Sequence, residues 1–208
     1  MSPPTINFWF DFASTYSYPA AMRVRPLADE AGVAVRFRPF LLGPIFKTQG
    51  WTTSPFNLFP AKGQNMWRDL ERICIDDGLP FRQPSPFPQK SVLAARVALV
   101  GLNAGWGEQF CLYVFRTEFG QGRSIDDASV LADVLSHLNV APEPTLAAAT
   151  SDDNKLKLRA QTEQAQQLGV FGAPTLTTAD GELFWGNDRL YQTVGWLTLW
   201  GIHESRGE

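Results

Sequence analysis

Residues 5–12 alternate Ile6, Phe8, Phe10 and Phe12 with Asn7, Trp9 and Asp11. A period of two sends successive side chains to opposite faces, so this segment is predicted to be a strand with two different faces. Helix-forming sequence follows from Ser17 to Glu30, and Gly32 supplies a stop. Pro19 suits a first helical turn, whereas Pro26 is expected to bend or interrupt the helix. Residues 33–39, VAVRFRP, alternate again and read as a second strand. Two strands joined by one helix of this length lie side by side and parallel, with a right-handed crossover. This β-α-β opening limits the chain to a layered α/β architecture.

Beyond it the pattern changes. Residues 41–60 contain Gly43, Pro44, Gly50, Ser54, Pro55 and Pro60 and read as a loop. From Lys62 onward, Met66, Leu70, Ile73 and Cys74 share one helical face. A second loop, GLPFRQPSPFPQ at 78–89, carries four prolines. Helical periodicity returns at 91–103, 107–118, 128–138 and 152–168. Asp126-Asp127 and Ser151-Asp152-Asp153 look like acidic, capped helix starts. Strand pattern resumes at 170–178 and 182–186 around a turn at Asp180-Gly181, which predicts a hairpin. A last helix is expected over 188–200, with Leu190, Val194, Leu197 and Trp200 inward. The order β-α-β, helical block, β-β-α predicts a thioredoxin-like α/β fold with a large all-helical insertion. Residues 1–40 and 169–208 form the thioredoxin-like domain on this reading, and 41–168 the connecting loop and insertion.

Composition narrows the partners. A chain of 208 residues with 44% hydrophobic residues can bury a substantial core. The net charge is -3, and Lys and Arg are scattered, so no nucleic-acid surface is expected. No apolar run approaches the ~20 residues of a membrane span. No secretory signal is evident, and the expected location is the cytoplasm. Cys74 and Cys111 fall within apolar helical patterns and read as buried thiols; His137 and His203 stand alone. No metal site is expected, and a Ser-His-Asp or Cys-His mechanism is poorly supplied.

Four places could carry chemistry. Ser14, in the turn Ser14-Thr15-Tyr16-Ser17, would stand at a helix N-terminus, where free N–H groups favour an anion. With no cysteine in that turn, disulfide exchange by the protein's own residues is excluded. The Ser14 hydroxyl could instead donate to a thiolate brought by a ligand and lower its pKa; it could also serve only as a helix cap. Ala173-Pro174 precedes the third strand, where this fold places a cis-proline, and Ala173 would offer its backbone to an extended ligand. An ordinary trans proline at a strand start is the alternative. Asn187-Asp188 would either cap the last helix or bind the charged end of a small peptide. Lys62, at a helix start, calls for a nearby anion or else faces solvent, and Asn57 in the same loop could bond a peptide backbone.

FDFASTYSY (10–18), PAKGQNMWRDLER (60–72), GVFGAPT (169–175) and LFWGNDRL (183–190) together resemble the 2-hydroxychromene-2-carboxylate isomerase family. That family is related to kappa-class glutathione transferases within the DsbA-type thioredoxin folds. The matches run along the whole chain in family order; where the family's serine is often followed by proline, this chain has Thr15. The resemblance implies glutathione as cofactor and a small aromatic substrate. It also implies roles residue by residue. Ser14 would hold the glutathione sulfur as thiolate, and Lys62 would meet a glutathione carboxylate. Ala173 would bond the cysteinyl backbone beside cis-Pro174. Asn187 and Asp188 would grip the γ-glutamyl end, and Asn57 would contact cofactor or substrate. The implied reaction interconverts 2-hydroxychromene-2-carboxylate and trans-o-hydroxybenzylidenepyruvate-type compounds by reversible thiolate addition. Trp51, Phe56, Phe59 and Trp67 could stack a flat substrate, at least two of them being expected in the core instead. The family's habit and the exposed aromatics point to a homodimer. Two other readings stand beside this one: a kappa-type glutathione transferase or peroxidase, served by the same residues, and a non-catalytic thiol- or peptide-binding module.

Overall fold

The computed structural model describes residues 3–204. Strand β1 (Thr5–Phe10), helix α1 (Ser17–Glu30) and strand β2 (Ala34–Pro39) form the β-α-β unit, with β1 and β2 parallel and Thr5 opposite Ala34. Strands β3 (Thr175–Thr177) and β4 (Leu183–Trp185) form the antiparallel hairpin. β3 also pairs antiparallel with β1, Trp9 lying opposite Thr175, so the sheet order is β2-β1-β3-β4.

The central strand is buried on both faces. Phe8, Phe10 and Phe12 pack with Phe37 and Phe115, the rings of Phe12 and Phe115 lying 4.9 Å apart. On the other face Trp9 is covered by Phe40, Ile45 and Val170, and its indole N–H donates to Thr177 at 2.9 Å. Phe115 comes from the helical insertion, so one core runs through both parts of the chain. Truncating such a fully buried ring to alanine costs about 3–5 kcal/mol.

Between β2 and β3 lie α2 (Leu42–Thr48), α3 (Pro55–Leu58), α4 (Pro60–Asp76), α5 (Val92–Ala104), α6 (Gly107–Phe115), α7 (Ala128–His137), α8 (Pro142–Thr150) and α9 (Asp152–Gln167). α6 runs on into a π-helical turn, Arg116–Gly120. A 3-10 turn, Asn187–Arg189, leads into α10 (Leu190–Glu204).

Several expectations need correction. α1 continues through Pro26. The stretch read as a loop at 41–60 holds α2 and α3, because Pro44 and Pro55 stand in their first turns, where a missing N–H costs nothing. Ser54 caps α3 by accepting from the Phe56 N–H. α8 was not expected; Pro142 and Pro144 look like breakers, but both fall in its first turn. β1 stops at Phe10, where the chain turns toward Ser14. The side chain of Trp200 lies outside the described residues.

Candidate functional site

The turn after β1 is organised by Asp11. Its carbonyl accepts from the Ser14 N–H at 3.0 Å, and one carboxylate oxygen accepts from the Ala13 N–H at 3.0 Å. The other oxygen accepts from the Leu42 N–H at 2.7 Å, and the Ser91 side chain lies close enough to favour the charged carboxylate. One buried side chain thus joins the turn, α2 and the approach to α5. Burial raises the Asp11 carboxyl above its ordinary range, and these hydrogen bonds oppose the rise.

Ser14 is 8% exposed, and its hydroxyl donates to the Ala173 carbonyl at 2.9 Å. It does not cap α1, which has no side-chain cap bond. The Ala173-Pro174 peptide is cis. The expectation that Ala173 offers its carbonyl freely to a ligand therefore changes, since Ser14 already uses it. The Ala173 N–H has no partner among the described residues.

Ser14 borders a cavity of about 710 Å³ whose walls include Leu42, Phe46, Trp51 and Phe56. Lys62 and Lys90 are its two cations, and Asp11 is its one acidic residue among the described residues. Lys62 sits in the first turn of α4, its ammonium 4.7 Å from the Phe59 ring centre. Gly63 lets α4 approach α3: a Cβ there would lie 2.5 Å from the Phe56 carbonyl oxygen. Across the opening, the Gln49 amide donates to the Phe171 carbonyl at 3.3 Å.

The other candidates divide. Asn57 is exposed, donates to Thr53 at 3.2 Å and does not line the cavity. Phe59 lies outside it under Lys62, and Trp67 packs on Phe87 at 4.7 Å as part of the core. Trp51 and Phe56 do line it.

Asn187 and Asp188 border a second cavity, of about 690 Å³. Tyr16, Ala173 and Trp185 line both spaces and so form the partition between them. The second cavity is acidic, with Asp69, Asp76, Asp77 and Asp188 against Arg23 and Arg189. Arg23 is committed to Asp77 at 2.8 Å and also donates to the Asn187 carbonyl at 3.4 Å. The Asn187 side-chain oxygen is buried without a partner. Asn187 and Asp188 do not cap the last helix by side-chain bonds; Gly186 holds the cap position of this turn. The Tyr16 hydroxyl donates to Asp69 at 2.9 Å, and burial with that neighbour keeps the phenol protonated.

Sequence reasoning missed Asp11, Glu118, the Gln89-Lys90-Ser91 segment and the Phe171–Trp185 pair. Asp11 looked like the polar face of a strand, and Glu118 like an ordinary helix residue. Glu118 is fully buried in the π-helical turn with neither oxygen partnered. Burial drives its carboxyl well above the usual range, and the Asp11 charge adds to the rise. A π-helical turn next to such a group is the one local signal, and it is not readable from sequence.

Both cysteines are buried. Burial, with Asp77 adding, pushes the Cys74 thiol up to about 11, and burial raises Cys111 further from reactivity. Among the described residues there is no group of three His, Cys, Asp or Glu that could hold a metal ion, and no helix is long and apolar enough to cross a membrane.

Comparison with known proteins adds three findings. The family described as DSBA-like thioredoxin domain matches residues 5–197. A 2-hydroxychromene-2-carboxylate isomerase of Sphingobium xenophagum is 30% identical over 187 residues, covering 89% of this chain and 94% of that protein. Glutathione S-transferase kappa 1 of Caenorhabditis elegans is 27% identical over 203 residues, covering 90% and 88%. The solved structure of the selenomethionine form of 2-hydroxychromene-2-carboxylate isomerase superposes with a TM-score of 0.86 at 25% identity, covering 98% of this chain and 99% of that one.

Proposed function

Because the chain belongs to the DSBA-like thioredoxin family, and within it to the 2-hydroxychromene-2-carboxylate isomerases, we propose that it is a glutathione-dependent isomerase of aromatic hydroxychromene carboxylates. The observation that carries this reading is the Ser14–Ala173 contact at the partition between two cavities of opposite charge character.

The residues present suit glutathione. Its ammonium would find the unpartnered Asn187 oxygen and the carboxylate of Asp188 in the acidic space. Its cysteinyl backbone would pass Ala173, whose N–H is free to donate, and cis-Pro174 shapes that passage. Its carboxylate end would meet Lys62, which borders the main cavity together with Ser14.

When bound, glutathione supplies a thiolate whose reversible addition to the substrate's conjugated double bond lets that bond rotate. The protein's part is to make and shelter that charge. Ser14 turns its hydroxyl proton from Ala173 to the sulfur, favouring thiolate over thiol. The apolar walls lower the polarity around the reacting atoms, which strengthens each charged contact there. Lys62 and Lys90 together give the cavity a positive field that favours negative charge developing on the substrate's carbonyl oxygen. Neither protein thiol can replace the cofactor's, since both are buried and raised.

The same reading places the reaction in the cytoplasm, where glutathione is kept reduced. The kappa-class relative supports a second reading, a transferase or peroxidase using the same Ser14. Assay of 2-hydroxychromene-2-carboxylate isomerisation with and without glutathione separates them. Conversion that requires glutathione without consuming it supports the isomerase. Net thioether or glutathione disulfide formation supports the transferase or peroxidase, and no glutathione effect of any kind contradicts both.

A further inference from the structure

Lys90 lines the main cavity with Ser14 and Lys62, and no described carboxylate pairs with either lysine. The cavity's one acidic residue among the described residues, Asp11, already accepts from Ala13 and Leu42. Lys90 is set in a fixed segment. On one side buried Gln89 accepts from the Ile125 N–H at 2.7 Å; on the other, buried Ser91 stands beside Asp11. The two lysines occupy different ground. Lys62 also borders a side pocket with Tyr16, on the partition toward the acidic cavity, whereas Lys90 borders the main cavity and neither the side pocket nor the acidic one.

We propose that Lys90 binds the carboxylate of the aromatic substrate, leaving Lys62 to the cofactor. This rests on the isomerase reading above. The ring system then lies among Phe46, Trp51 and Phe56, and its acid group reaches the Lys90 side of the cavity. The enzyme selects flat aromatic acids over neutral ring systems of the same shape. Discrimination comes from the unpaired cation, since apolar walls alone reject little.

Binding of chromone-2-carboxylate, of neutral chromone and of glutathione to wild type, Lys90→Met and Lys90→Arg tests this by titration calorimetry. Lys90→Met is expected to weaken the carboxylate ligand about tenfold or more while chromone and glutathione bind as before. Lys90→Arg is expected to restore most of the loss. If Lys90→Met binds the carboxylate as wild type does, or loses both chromone ligands equally, the assignment is wrong. The glutathione arm reports separately on the cofactor: wild type that fails to bind glutathione sinks the isomerase reading, whatever the carboxylate arm shows.

Discussion

The Ser14 hydroxyl donates to the Ala173 carbonyl across 2.9 Å, tying the turn before α1 to the residue that precedes cis-Pro174. A hydroxyl carries one proton, so Ser14 cannot serve Ala173 and a sulfur at once. Ser14→Ala should therefore cost only about 1 kcal/mol of stability and bind glutathione nearly as well as wild type. Turnover should fall about a hundredfold, as when a donor to developing charge is removed. Urea unfolding and steady-state kinetics measure the two effects separately.

The protein's thiols should stay silent in the fold. Cys74 is raised to about 11 and Cys111 is fully buried. A thiol reagent at neutral pH is expected to label neither until denaturant is added. Rapid labelling of the native protein would mean that a protein thiolate competes with the cofactor's.

Glu118 should make stability fall with rising pH. Burial keeps its proton on in the fold at pH values where the unfolded chain, titrating near 4.5, has released it. The folded state then binds more protons, so its advantage is full below about 4.5 and is lost as pH climbs toward the folded value. Glu118→Gln should raise the urea midpoint at about pH 8 and change it little near pH 4. Asp11 is raised by burial in the same direction, so some slope persists in the variant.

Gly172 leaves room for the lip of the site. A Cβ there would stand 2.5 Å from the Trp185 indole nitrogen, and Trp185 packs against Phe171 in a tilted pair, ring centres 5.0 Å apart. Gly172→Ala should displace Trp185 from the partition at a cost of about 1–3 kcal/mol. Glutathione affinity should drop while the far-ultraviolet dichroism is kept, and tryptophan fluorescence reports the displacement.

What could be read from the sequence follows from how local each signal is. Helix α1 appears over Ser17–Glu30 as expected, because its start and its stop at Gly32 are written in adjacent residues. Cis-Pro174 and the approach of Ser14 to Ala173 were foreseeable only through the fold, being 159 positions apart. α3 and α8 were hidden because proline can open a helix as well as break one, and the residues around Pro55 and Pro142 do not decide. Asp11 alternates with Phe10 and Phe12 as a solvent-facing residue would, yet α2 and the Ser91 segment cover it. Lys90 gave no signal at all, since only tertiary packing brings its segment to the cavity.

The central claim is that Ser14 holds a cofactor thiolate, and a glutathione titration near neutral pH, followed by thiolate ultraviolet absorbance, tests it most directly. Wild type is predicted to bind glutathione and raise the thiolate signal, with Ser14→Ala binding comparably and raising none. Equal thiolate signals from both proteins, or no binding by wild type, would contradict it.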